Sequence, residues 1–166
     1  MTVIIAMCLF ALSMSISPGP VNMIALATGL NLGFKRTLPF VAGATSGFVL
    51  LLFLVGAGLG RLAAGHAQFI SVLNILGASF IIYMGFKTFT SSAKLTVGTQ
   101  TSSSFTKGFL LQWLNPKALA ACLSAIAAFN LDQMSLLSLF VILYFGICFV
   151  SIACWAYAGE RVSLLL

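Results

Sequence analysis

Long apolar runs alternate with short polar segments along this chain. The runs cover about Thr2 to Thr28, Leu38 to Gly60, Phe69 to Phe89, Phe105 to Phe129 and Leu136 to Ala158. Each is long enough for a bilayer crossing, which needs about 20 apolar residues. Between them lie Gly29 to Arg36, Arg61 to Gln68, Thr90 to Thr106 and Asn130 to Gln133. The pattern predicts an all-α, polytopic transmembrane helical bundle. Thr90 to Thr106 is rich in Ser, Thr and Gly and reads as a linker between two halves, residues 1–95 and 96–166. Near the end of the third run, Tyr83 fits an interfacial anchor and Lys87 a snorkelling charge.

Two of the runs are interrupted. Ser17-Pro18-Gly19-Pro20 lies deep in the first, where two prolines remove two backbone donors and fix two φ angles. Asn115-Pro116-Lys117 interrupts the fourth. In lipid, backbone groups freed by a break must find partners inside the protein, so each break implies a protein-lined or water-lined cavity. Broken helices at corresponding positions of two halves are the best sequence pointer to a transporter's binding site. The first half holds about three crossings, an odd number, so the second half starts from the opposite side of the membrane. The halves are thus expected to be inverted repeats, each opening on a broken helix. Symmetry then asks for a sixth helix, and the stub Val162 to Leu166 is too short to cross. Either the chain is truncated or the sixth element comes from elsewhere.

Composition narrows the class. The 166 residues are 61% hydrophobic and 6% charged, whereas a soluble domain carries about 25% charged residues. A net charge of +6 is spread singly between apolar runs, without the basic stripe of a nucleic-acid binder. No Lys or Arg precedes Lys35, so the first run lacks a signal peptide's basic start and is expected to be a mature span. With loops assigned alternately, Lys35, Arg36, Lys87, Lys94, Lys107 and Arg161 fall on one side, and Arg61, His66 and Asp132 on the other. Basic residues stay cytoplasmic, which places the N-terminus outside and the C-terminal stub inside. His66 reads as an exposed loop residue. Cys8, Cys122, Cys148 and Cys154 sit singly in apolar runs and read as packing residues. Neither a metal nor a cofactor is expected.

Lys117 carries the most chemistry. It stands about ten residues beyond Lys107, roughly 15 Å deep at the rise of an α-helix. A charge at that depth usually marks a pathway, and no carboxylate is available to it, since Asp132 and Glu160 both lie at helix ends. It must meet carbonyl oxygens, water or an anionic group of a ligand. Facing it across the midplane, the carbonyls freed around Pro18 and Pro20 would complete a zwitterion site. Lys117 and the amides after Pro20 would take a carboxylate; the carbonyls, Asn22 and Asn115 would take an ammonium. The bland alternative is that Lys117 merely satisfies the carbonyls and locks the breaks together. In the second run, Gly43 and Gly47 have the spacing of close helix packing, while Thr45 and Ser46 between them could line a polar path.

These motifs resemble one family. Ser17-Pro18-Gly19-Pro20 with Asn22, Gly33-Phe34-Lys35-Arg36 and Gly43 to Gly47 resemble the opening signature of the LysE/RhtB amino-acid exporters. Leu76-Gly77-Ala78 with Tyr83-Met84-Gly85, and Gly108-Phe109 with Leu114-Asn115-Pro116-Lys117-Ala118, are similar to that family's third and fourth helices. The resemblance implies six helices in two inverted repeats, of which about five are present. It also implies proton-coupled export of small amino acids or derivatives across the cytoplasmic membrane. Phe48 stands where many members have an acid, as does the region of Tyr144, Phe145 and Cys148. Gly47-Phe48 and Cys154-Trp155-Ala156 lean toward the branch exporting cysteine and O-acetylserine. The expected partners are an amino acid, protons, the lipid bilayer and a second copy of the chain. A structural subunit without transport, or an inactive fragment, is the rival reading; an enzyme is not supported, since no nucleophile–base pair or paired carboxylate lies within the membrane.

Overall fold

A computed structural model describes residues 1–63, 79 and 104–164, with side chains left out at 59–63. The predicted third span, with Asn74, Tyr83 and Lys87, lies outside the described residues except for Ser79, as do His66 and most of the predicted linker. The described elements are α1 (Thr2–Ile16), α2 (Pro20–Leu32), α3 (Phe34–Ala63), α4 (Phe105–Trp113), α5 (Pro116–Phe129) and α6 (Met134–Ser163). By length and apolarity, α3 over Phe34–Gly58 and α6 can each cross a membrane. The pairs α1–α2 and α4–α5 qualify as broken spans, bent by 59° and 62°. Each broken pair is followed by one long helix. Leu9, Leu12, Leu54, Ile142 and Val150 are exposed on the outside of the bundle, as lipid-facing side chains are in a membrane protein.

The breaks fall where the prolines require them. Pro20 and Pro116 occupy the first positions of α2 and α5, where a missing N–H costs nothing and the fixed φ suits a helix start. Two boundaries differ from the sequence expectation. The basic segment Gly29 to Arg36 is not a loop: α2 runs to Leu32, α3 starts at Phe34, and the corner is Gly33 at φ 82°. A positive φ is what glycine supplies without steric penalty. Likewise α6 does not stop at Ala158 but carries Glu160 and Arg161 within its last turns. There the Phe34 amide donates to Glu160 Oε1 at 3.0 Å, placing a carboxylate on the start of α3, where the helix dipole favours it. Pro39 sits inside α3 and is exposed; the helix continues past it.

Contacts fix the running directions. Gly43 and Gly47 of α3 meet the backbones of Phe105 and Phe109 of α4, so these helices run parallel. Between α3 and α6, Phe34 meets Tyr157 and Phe48 meets Tyr144, an antiparallel pair. On α1, Phe10 packs on Phe140 and the Ile16 carbonyl accepts from Trp155 Nε1, so α1 runs with α6. The two broken spans therefore begin from opposite ends of the bundle, as the inverted halves require.

Packing differs between the two ends. Toward the end holding Gly33 and Glu160, glycines bring backbones into direct contact. Gly29 lies on the Ala156 backbone, Gly159 on Leu26, and Gly108 on Phe40 and Ala44. Toward the other end, rings fill the gaps: Phe10, Phe129, Phe140, Tyr144 and Phe48 form a continuous series with centroids 4.4–6.3 Å apart.

Candidate functional site

Ending α1 at Ile16 leaves its last carbonyls without helical partners. Each finds a donor nearby. The Ser17 amide donates to Ser13 O at 3.4 Å and the Ser17 hydroxyl to Met14 O at 3.1 Å. Asn22 Nδ2 donates to Ser15 O at 2.7 Å and to Ser17 O at 2.8 Å. Trp155 Nε1 reaches Ile16 O at 3.0 Å. Buried peptide groups are almost always paired in this way, and here three side chains from beyond α1, those of Ser17, Asn22 and Trp155, complete the set.

Lys117 crosses from the second break to the first. Its ammonium donates to Ser17 O at 2.6 Å and Ser17 Oγ at 2.8 Å, with Pro18 O at 3.5 Å. The stem lies against Gly19, where an added Cβ would stand 3.0 Å from Lys117 Cδ and 3.2 Å from Nζ. A side chain at Gly19 would press on the Lys117 stem, which would have to give by a few tenths of an ångström. The backbone of Lys117 is held by Asn115, whose Oδ1 accepts from the Lys117 amide at 3.1 Å. Asn115 Nδ2 in turn donates to Gln112 Oε1 at 3.2 Å. On the other side of the site, no side chain caps the start of α2.

Between the breaks lies a cavity of about 40 Å³, room for a few waters. Gly19, Asn22, Asn115, Lys117 and Gln112 form its polar wall. Phe48, Tyr144, Cys148, Ser15 and Ala121 are among the residues of the rest. The starts of α2 and α5 both border it, so two positive helix ends and one ammonium converge on a small space. No carboxylate lines it.

Of the residues singled out from sequence, Gly19, Asn22, Asn115 and Lys117 line this cavity. Ser17 and Pro18 join them through the Lys117 hydrogen bonds. Pro20 and Pro116 start the two helices, their rings exposed. Gly43, Thr45, Ser46 and Gly47 are not among the lining residues. Gly43 and Gly47 pack against α4, and Thr45 is buried with its hydroxyl unpartnered. Sequence reasoning missed Trp155, Gln112 and Ser15. An isolated Ser or Gln in an apolar helix carries no spacing signal, and nothing in the sequence says which residue of α6 reaches the first break.

Known proteins resemble this chain along nearly all of its length. A cysteine/O-acetylserine efflux protein of Escherichia coli (strain UTI89 / UPEC) is 31% identical over 168 residues, covering 99% of this chain and 86% of its own length. Proteins of that name from Escherichia coli (strain K12) and Shigella sonnei (strain Ss046) are 29% identical over 167 residues, with the same coverage. No solved structure matches. The LysE type translocator model matches residues 12–163, taking in both breaks and every described helix at least in part, and the chain therefore belongs to that family.

Proposed function

We propose that this protein is a secondary carrier that exports small amino acids or their derivatives across the cytoplasmic (inner) membrane. The relatives named for cysteine and O-acetylserine efflux support that substrate range. The observation that carries the reading is the Lys117 ammonium lying on Ser17 O, across a cavity bordered by the uncapped start of α2. An ammonium and an uncapped helix start together receive a carboxylate.

The contacts of Lys117 suggest how binding and locking combine. The carbonyls of Ser17 and Pro18 already hold one ammonium, that of Lys117. An incoming zwitterion places its own ammonium on those carbonyls and its carboxylate on Lys117 and the α2 amides. One ammonium replaces another, so the break stays satisfied whether the site is empty or loaded. Locking and ligand binding are then two states of the same lysine. Asn22 and Asn115 hold the two breaks in shape throughout. The proton gradient drives the cycle. The chain's two acids are Asp132, beside the α5–α6 turn, and Glu160, engaged with Phe34, so Lys117 is the group placed to carry the proton.

Efflux of radiolabelled cysteine, O-acetylserine, homoserine and threonine from cells expressing the chain tests this. At least one should leave faster than from control cells, and faster still when the outside is acidified, as exchange for inward-moving protons requires. Lys117→Met should abolish the difference while the protein still reaches the membrane. Full efflux by that variant would end the ligand role of Lys117; indifference to external pH would end proton coupling.

A further inference from the structure

The end of the bundle that holds Gly33 and Glu160 carries a cationic patch for which the cavity has no use. Arg161 is exposed, yet its guanidinium is held in place. Its Nε donates to the Tyr157 hydroxyl at 2.6 Å, and its Cζ lies 4.8 Å from the centroid of the Tyr157 ring. Tyr157 in turn meets Phe34 edge-on at 5.9 Å. That contact sets Arg161 beside the start of α3, where Lys35 and Arg36 are exposed. None of the three cations forms an ion pair among the described residues. The neighbouring carboxylate, Glu160, accepts from the Phe34 amide instead. With Nε engaged, the two terminal nitrogens of Arg161 keep the fork that grips a phosphate by two bonds. A topological determinant needs only charge; an oriented guanidinium exceeds that role.

The surface leading away from Arg161 is apolar. Val150, Cys154, Tyr157 and Arg161 are all exposed and recur every three or four residues, on one face of α6. From Arg161 back to Val150 the helix rises about 16 Å, close to the depth of one leaflet of hydrocarbon. We propose that Arg161, Lys35 and Arg36, with the strip of Tyr157, Cys154 and Val150, bind one membrane phospholipid with a net negative head group. The phosphate lies on the cations and an acyl chain follows the strip. Charge favours this occupant over a second copy of the chain. The chain's two acids are Asp132, at the far end, and Glu160, already engaged, so a copy laid symmetrically here would bring cations to cations. The assignment does not depend on what the cavity carries.

Native mass spectrometry of the full chain in neutral detergent tests the site, with phosphatidylglycerol and phosphatidylcholine of matched acyl chains as probes. In detergent the loss of a cation cannot act through membrane topology. The wild type should retain one phosphatidylglycerol at least about tenfold more tightly than phosphatidylcholine, and high salt should remove the difference. Arg161→Gln should weaken phosphatidylglycerol about fivefold, the contribution of one interfacial cation, and leave phosphatidylcholine unchanged. Lys35→Gln combined with Arg36→Gln should weaken it further, and serves where Arg161→Gln does not fold. Glycerol phosphate, the head group without chains, should not displace the lipid. Equal retention of the two lipids by the wild type, or of phosphatidylglycerol by the wild type and the variants, overturns the site. Displacement by glycerol phosphate would make it a site for soluble phosphates and overturn the lipid. Disulfide cross-linking of Cys154 between copies, with Cys8, Cys122 and Cys148 changed to alanine, would give the strip to a second copy and overturn it equally.

Discussion

At the scale of single residues, the first break is a problem of unpaired carbonyls solved by side chains far apart in sequence. Asn22 supplies donors to both Ser15 O and Ser17 O. Leucine has nearly the same shape as asparagine and no donor. In Asn22→Leu, Ser15 O loses its donor and Ser17 O keeps Lys117. An unsatisfied buried group costs about 1–3 kcal/mol, so thermal unfolding in detergent should move down by several degrees. Asn22→Asp should be worse, since it sets a carboxylate against two carbonyls. An unchanged transition in both variants would mean that water fills the place of the amide. The prolines, Gly19, Asn22 and Lys117 were legible in the sequence because each violates the pattern of an apolar helix. Trp155 was not, because a tryptophan in an apolar run satisfies that pattern whether or not its Nε1 reaches the Ile16 carbonyl.

At the scale of elements, the sequence disclosed the interruptions but not what each helix rests on. The spacing of Gly43 and Gly47 announced a close neighbour; only the structure names it as α4. By sequence Gly29 reads as the start of a loop, because Gly29, Asn31, Gly33 and two basic residues together look like a turn. It belongs to α2, with the Ala156 backbone against it. The glycines therefore divide into two kinds with different mutational outcomes. At Gly29, Gly43 and Gly108 an added Cβ would collide with backbone on the facing helix, which cannot rotate away as a side chain can. Gly29→Val and Gly108→Val should each destabilise by about 1–3 kcal/mol or more, the range for overpacked sites. At Gly146 an added Cβ meets nothing within 4 Å, and Gly146→Ala should be neutral or stabilising by up to about 1 kcal/mol from helix preference. Thermal unfolding of the three variants side by side checks the contrast. Equal effects at Gly108 and Gly146 would refute the close α3–α4 contact.

At the scale of the whole molecule, the crossings within the described residues were legible from composition and run length, while orientation rests on charge and helix direction together. Lys35 and Arg36 open α3, Lys107 lies in the first turn of α4, and Arg161 lies in the last turn of α6. Because α4 runs parallel to α3 and α6 antiparallel to both, these four cations gather at one end of the bundle. The N-terminus and Asp132 lie at the other, since α1 runs with α6. Basic ends stay cytoplasmic as a rule, so the prediction is that the glycine-packed end faces the cytoplasm and that the proposed export runs toward the ring-packed end. Cysteines placed singly in a chain whose native cysteines are alanine decide the orientation. Thr2→Cys and Asp132→Cys should react with a membrane-impermeant maleimide in intact cells, and Lys107→Cys only after permeabilisation. The reverse pattern would turn the bundle over and make the same cavity face uptake. Labelling from both sides at every position would mean that no fixed orientation exists, and the basic end would then lose its role as a topological determinant.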